Sequence, residues 1–271
     1  MDAWITGESA IRYYALIAGF GLIAVWEALA PRRMPVPAVR GRWANNIALT
    51  VALSVIAAMV FPVLSVGMAI VAQRNAFGVL NQVDAPFAVE CVLAFVALDL
   101  ARYLVHRALH RVAPLWRLHR VHHSDVEYDS TTSLRFHPLE AIVTIGMQLG
   151  VVAAIGAPPV AVLAFEITTA VLAFFSHGNV RIPERVDRVL RWLVVTPDMH
   201  RVHHSAAVDE SNANFSSVLP WWDHLLRTYC AQPALGHDAM TLGLEDVRDA
   251  RTSSFGWLIC APFEGRRSVA T

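Results

Sequence analysis

Apolar residues run along this chain in long blocks, separated by short basic segments, instead of alternating at the periods of soluble helices and strands. About 20 apolar residues cross a bilayer as a helix. Tyr13 to Ala30 is long enough, with Glu27 near its end and Arg32 and Arg33 just beyond. No charge falls between Trp43 and Gln73. Pro62 breaks that stretch, giving a span from Ala44 to Met59 and then a re-entrant, interfacial or tilted piece. Pro86 to Val105 forms another span, interrupted by Glu90 and Asp99. Ala141 to Ser176, with Glu166 its single charge, reads as a helical hairpin turned at Ala157-Pro158-Pro159. The expected fold is an all-α integral membrane protein, with about four to five transmembrane or hairpin helices and a cytoplasmic histidine-rich helical cap.

The basic flanks orient the spans. Arg32, Arg33, Arg40 and Arg42 follow the first; Arg102, Arg107, Arg111, Arg117 and Arg120 follow the third; Arg181, Arg185, Arg188 and Arg191 follow the hairpin. Short basic segments favour the cytoplasm, and an external N-terminus puts all three clusters there. Asp2 and Glu8 stand where a signal peptide would be basic, so the first apolar segment is expected to stay in the mature protein. Gly19-Phe20-Gly21 with Ala24 lies within that segment and reads as helix packing, not a dinucleotide loop.

Composition sharpens the class. Of 271 residues, 55% are hydrophobic and 16% charged, against about 25% charged in soluble domains; the mean hydropathy is +0.44. Zero net charge gives no sign of a nucleic-acid partner. Cys91, Cys230 and Cys260 lie far apart and make neither a disulfide framework nor a thiolate metal site.

The 12 histidines are clustered. His119-Arg120-Val121-His122-His123-Ser124 recurs as His200-Arg201-Val202-His203-His204-Ser205. Positions i, i+3 and i+4 share a helical face, so each box can aim three imidazoles at one point. His106 and His110 add an i, i+4 pair. Pro114 precedes the first box, and Thr196-Pro197 offers an N-cap and first position to the second, so both boxes are expected to open helices at the membrane surface. Four ligands suffice for a structural site, and this excess implies two metals, or one metal with surplus ligands; two held by neutral imidazoles would keep their full charge and open positions for oxygen. Imidazole suits iron, zinc, copper and nickel alike.

His177, at the end of the hairpin, is a further candidate ligand; His137, at its start, is either a ligand or a hydrogen-bond partner of one. His224 is read as packing and His237 as a surface residue. Asp99 and Glu166 share helical faces with His106 and His177, and each can orient an imidazole or simply bridge helices.

These motifs resemble the fatty acid hydroxylase and sterol desaturase superfamily. Leu134 to Glu140 is similar to its Arg-x-His-Pro-Leu-Glu segment, Phe174 to Pro183 to its His-x-Asn-Val-Arg-Ile-Pro stretch, and Thr196 to Ser205 to its distal box. Asn214-Phe215 and Trp222-Asp223 through Thr228-Tyr229 resemble its C-terminal end, although Leu225-Leu226-Arg227 departs from the usual Phe-Gly. The resemblance covers about residues 85 to 230. It implies a di-iron centre, with zinc as a substitute, held by His106, His110, His119, His122, His123, His177, His200, His203 and His204, with His137 as a further ligand. It also implies hydroxylation or desaturation of a lipid such as an acyl chain, sterol or ether lipid, with O2 as co-substrate.

The domains then read as 1–85, N-terminal transmembrane helices; 86–230, the histidine-box catalytic region; and 231–271, a tail. A bacterial inner membrane suits the alanine- and arginine-rich style. The chain carries no cofactor loop or cluster motif of its own. An external electron donor, a ferredoxin or cytochrome, is therefore expected on the basic surface at Arg185, Arg188 and Arg191. Two rivals make other predictions: a metal transporter needs ligands along its spans, and a zinc-stabilised structural protein needs only four.

Overall fold

The computed structural model describes residues 3–34 and 41–264; Asp2, Arg40 and residues 265–271 lie outside them. The apolar blocks fold as helices, which satisfy every backbone group within one segment. They are α1 (Ala3–Leu29), α2 (Arg42–Val60), α3 (Ser65–Arg74), α4 (Phe87–Arg111), α5 (Ala113–His123), α6 (Pro138–Ile155), α7 (Pro159–Ser176), α8 (Glu184–Leu190) and α9 (Pro197–His203). Among the described residues there is no strand, only isolated bridges pairing Pro31 with Val180 and Ser205 with Leu242. Four stretches are long and apolar enough to cross a membrane: Gly7–Leu29, Arg42–Gln82, Pro138–Ile155 and Pro159–Ser176. This is an all-helical membrane protein.

Beyond Pro62 the chain continues along the bundle as α3, packed on α6 and α7. Arg42, at the start of α2, pairs with Asp125. Gly78, beyond α3, backs onto Gly156 in the α6–α7 turn, so α2 and α3 form one bent pass along the bundle. Gly78 has φ 94° and Gly156 φ 71°, and a Cβ on Gly78 would run into the Gly156 backbone. Gly19 meets Val171 of α7, consistent with helix packing.

Five helix ends meet at the pole opposite that turn: the C-termini of α1, α4 and α7 and the N-termini of α2 and α6. Arg32 N donates to Asn179 O at 2.9 Å, tying α1 to the segment after α7. The Glu27 carboxylate accepts from both Ser130 N and Ser130 Oγ at 2.8 Å. Here α5 and α9 lie across the bundle. Thr196 caps α9 by accepting from Met199 N, as its sequence implies. Neither box opens its helix: Pro114 starts α5 and His119, His122 and His123 fill its final turns, while in α9 His203 is the last residue and His204 the C-cap.

Residues 231–264 do not trail away. Trp257, Leu258 and Ala261 pack on Leu49 of α2 and Val121 of α5, while Gly243 N donates to His204 O. The tail therefore wraps both boxes.

Buried ion pairs lock this pole. Arg42 reaches both Asp125 oxygens, at 2.7 and 2.8 Å, and Asp129 at 2.6 Å. Fully buried Arg135 donates to Val121 O at 3.0 Å, Ser124 Oγ at 2.8 Å and Asn46 Oδ1 at 3.3 Å. Burial pushes the Asp125 carboxyl up, but the Arg42 and Arg135 guanidiniums win and hold it well below the usual carboxylate range. Removing one partner strands the other charge. Asp125→Asn should therefore destabilise the protein by about 3–5 kcal/mol, read as a lowered unfolding midpoint in detergent, whereas exposed Asp249→Asn should leave it unchanged.

Candidate metal centre

Nine imidazoles converge where the helix ends meet, in two adjoining groups. The first comprises His106, His110, His119, His123 and His203; the second comprises His122, His177, His200 and His204. Within each group, one buried ring nitrogen per residue lies within 4.8 Å of all the others.

The duplicated boxes do not each serve one point. The i, i+4 pair His119/His123 joins the first group with His106 and His110, while His122 turns to the second. In the distal box the i, i+4 pair His200/His204 joins the second group and His203 crosses to the first. Successive residues on a helix are about 100° apart, so the adjacent His122–His123 and His203–His204 pairs diverge. Each box thereby braces both groups.

Tautomers follow from the outer hydrogen bonds. His106 Nδ1 donates to Phe215 O at 2.7 Å, His203 Nδ1 to Ala213 O at 2.8 Å, and His177 Nδ1 to Ala173 O at 2.8 Å. Carbonyl oxygens only accept, so these Nδ1 atoms carry hydrogens and the Nε2 lone pairs point inward. His119 Nδ1 donates likewise to Glu140 Oε1 at 2.8 Å.

Burial pushes the box histidines His122, His123, His200 and His204 well below their ordinary value; crowding by neighbouring histidines adds to it. His177 is lowered to about 4 and His203 to about 3, chiefly by burial. Such rings are neutral at pH 7.

The ring nitrogens crowd accordingly. His106 Nε2 faces His119 Nε2 at 3.1 Å, and His110 Nε2 faces His123 Nε2 at 3.1 Å. His177 Nε2 lies 3.1 Å from both His122 Nε2 and His200 Nε2. His203 Nε2 and both ring nitrogens of His204 are buried without a partner. Converging lone pairs repel unless a cation lies between them. Metal–nitrogen bonds of about 2.1 Å place ligands at right angles roughly 3.0 Å apart, close to what is seen. The donor set fits two cations.

Other expectations fare differently. His137 joins neither group: it caps α6, accepting from Leu139 N at 3.2 Å, and its Nε2 lies 3.1 Å from Ile259 O. Asp99 accepts from Leu219 N at 3.1 Å and Trp222 Nε1 at 2.8 Å, touching no histidine. Glu166 pairs with Arg12 at 2.8 Å and accepts from Gln148 at 3.1 Å. Glu140 takes the orienting role: Pro138 starts α6 and puts this carboxylate in its first turn, facing α5.

The loop supplying Ala213 O and Phe215 O is itself pinned. Asp223 accepts from Phe215 N at 2.8 Å and Ser216 N at 2.9 Å, while Asn214, at φ 55°, bonds both Met199 O and Cys230. His224 stacks on Trp192, ring centroids 4.8 Å apart. His237, carried by the tail, is buried 3.8 Å from Asp198 and is not a surface residue, because the tail folds onto α9. Arg191 is buried against Asp187 and Ala231 O, leaving Arg185 and Arg188 exposed.

A cavity of about 220 Å³ ends on His106, His119, His122, His177 and His200, so it meets both groups. Its walls are mainly apolar, with Leu53, Leu98, Val105, Met147 and Val151 among them.

The profile of the family described as fatty acid hydroxylase matches residues 91–228, half of the chain. Ornithine lipid hydroxylase OlsE of Rhizobium tropici is 32% identical over 148 residues, which is 55% of this chain and 44% of that protein. Alkylglycerol monooxygenases of Xenopus tropicalis and Homo sapiens are each 29% identical, over 51% of this chain and 30% of their own length. The matches thus span less than half of each of these relatives. No solved structure matches the chain.

The geometry separates orienting from bystander residues. Glu140→Ala should weaken metal affinity by about 10–100-fold, whereas His137→Ala should leave it within error, measured by competition with a chromophoric chelator.

Proposed function

The chain belongs to the fatty acid hydroxylase family, and from that premise we propose that it hydroxylates a C–H bond of a lipid with O2. The observation that carries this reading is the apolar cavity ending on both histidine groups. In this reading His106, His110, His119, His123 and His203 hold one iron and His122, His177, His200 and His204 the other. Bound there, an iron pair supplies the oxidising power to break an inert C–H bond. One oxygen atom enters that bond, and the other leaves as water with two electrons, delivered one at a time by an external donor protein, and two protons from solvent. Desaturation is the sister outcome: two hydrogens leave and no oxygen is inserted.

The chain's own residues supply placement. Glu140 and the carbonyls of Phe215, Ala213 and Ala173 keep Nδ1 protonated and Nε2 free on His119, His106, His203 and His177. Apolar walls from α4, α6 and α7 exclude water and take a hydrocarbon chain. In this reading 86–230 is the catalytic region, 1–85 supplies N-terminal helices, and of the 231–271 tail the described part, to residue 264, packs over both boxes. The positive-inside bias favours a cytoplasmic histidine pole and supports reading the setting as a bacterial inner membrane. There Arg185 and Arg188 offer a ferredoxin or cytochrome an exposed basic surface.

Anaerobically purified protein should contain about two irons per chain and convert a lipid extract, with reductant and 18O2, to products carrying one labelled oxygen. The His203→Ala, His204→Ala double variant should lose both iron and turnover. One tightly held zinc that survives the double substitution would overturn the reading.

A further inference from the structure

A second cavity, of about 320 Å³, adjoins the first and shares Arg102, Phe136, Gln148, Thr169 and Ala173 with it. Where the two meet, most polar groups satisfy one another. Glu166 pairs with Arg12 at 2.8 Å, and Gln148 donates to Glu166 at 3.1 Å and to Ser65 Oγ at 2.9 Å. Two groups do not. Arg102 Nε is buried without a hydrogen-bond partner, as is Thr169 Oγ1. Asp99 and Glu140 are the carboxylates that act on Arg102 through space. Asp99 takes Leu219 N and Trp222 through Oδ2 and Glu140 takes His119 through Oε1; the second oxygen of each is buried without a hydrogen-bond partner, and neither bonds the guanidinium. A buried cation with no bonded counter-ion costs stability unless a ligand supplies the anion.

Position adds the second half. Arg102 lies four residues before His106 on α4, and both line the cavity with Leu98, Ala101, Val105 and Leu109 at helical spacing.

We propose that Arg102, with Thr169 beside it, binds an anionic oxygen group of the lipid substrate, a carboxylate or phosphate, one helical turn from the histidine groups. The planar guanidinium suits a two-oxygen anion. The assignment rests on the lipid-oxygenase reading and narrows it: the oxidised carbon lies nearer the lipid's polar end than its methyl end. Arg102 is then a specificity-determining residue that touches substrate and leaves the metals alone.

The test is equilibrium binding of radiolabelled hexadecanoate, hexadecyl phosphate and hexadecanol to the full chain in detergent, both metal-loaded and metal-stripped. Wild type should hold the two anions about tenfold or more tighter than the alcohol. Arg102→Gln should abolish that preference, leaving hexadecanol binding unchanged, and Arg102→Lys should keep much of it. Equal binding of all three lipids by wild type, or a preference that survives Arg102→Gln, overturns the proposal. Inorganic phosphate binding as tightly as hexadecyl phosphate overturns the lipid part in favour of a free anion.

The wild-type comparison needs no variant, so misfolding of Arg102→Gln does not block a decision. Binding is read without turnover, so loss of the oxygenase reading shows separately, as absence of iron and product. Where turnover occurs, a hydroxyl placed in the methyl half of the chain also overturns the proposal.

Discussion

Neutral imidazoles packed with their lone pairs facing inward are an arrangement that a protein interior tolerates only around cations. That constraint organises everything at the histidine pole. The four rings with outer partners donate Nδ1 hydrogens to Phe215 O, Ala213 O, Ala173 O and Glu140, leaving Nε2 bare. The crossing of the two boxes follows from the same demand. Two helices approaching from different directions give each group an i, i+4 pair from one and a single ring from the other, so neither group can shift alone.

A centre like this must be held rigidly before metal arrives, and buried arginines do that. Arg42 binds the turn after α5 through Asp125, Arg135 grips Val121 O and Ser124, and Arg201 of the distal box pairs with Asp198 at 2.5 Å over the Tyr128 ring. Buried pairs of this kind are poor sources of net stability, because desolvation cancels most of the attraction. Their value here is geometric: Arg42 and Arg135 reach the residues around His122 and His123 from elsewhere in the chain, and Arg201, between His200 and His203, is itself fixed within α9, so ligand directions are set that apolar packing alone would leave loose.

How much of this the sequence discloses depends on how local the governing interaction is. Span length needs only a run of apolar residues, and the helix pairs His106/His110 and His119/His123 need only helical spacing. Both were legible. Contacts between helices were not. Asp99 and Glu166 share helical faces with histidines, yet tertiary packing turns them toward Trp222 and Arg12, while Glu140, with no spacing relation to His119, becomes its partner. His137 lies in a motif similar to the family's, but as the residue before Pro138 it caps α6, and its second nitrogen meets the tail. The contacts of Trp257 and Leu258 with Leu49 of α2 and Val121 of α5 are of the same kind, made between residues far apart in the chain.

The tail's position also bears on why the cap is built this way. In the lipid-oxygenase reading, the centre must face hydrocarbon on one side and exclude water on the other. The bundle side is settled by the apolar walls of the cavity. The opposite side consists of helix ends and loops, whose free backbone groups attract water unless they are bonded elsewhere. Here they are bonded elsewhere: Thr241 O takes Ala206 N, Gly243 N reaches His204 O, Asn214 bridges Met199 and Cys230, and Asp223 takes two loop amides. A region made largely of loops therefore becomes as dry as a core. That dryness lets the same histidines stay neutral, which keeps their lone pairs available for metal.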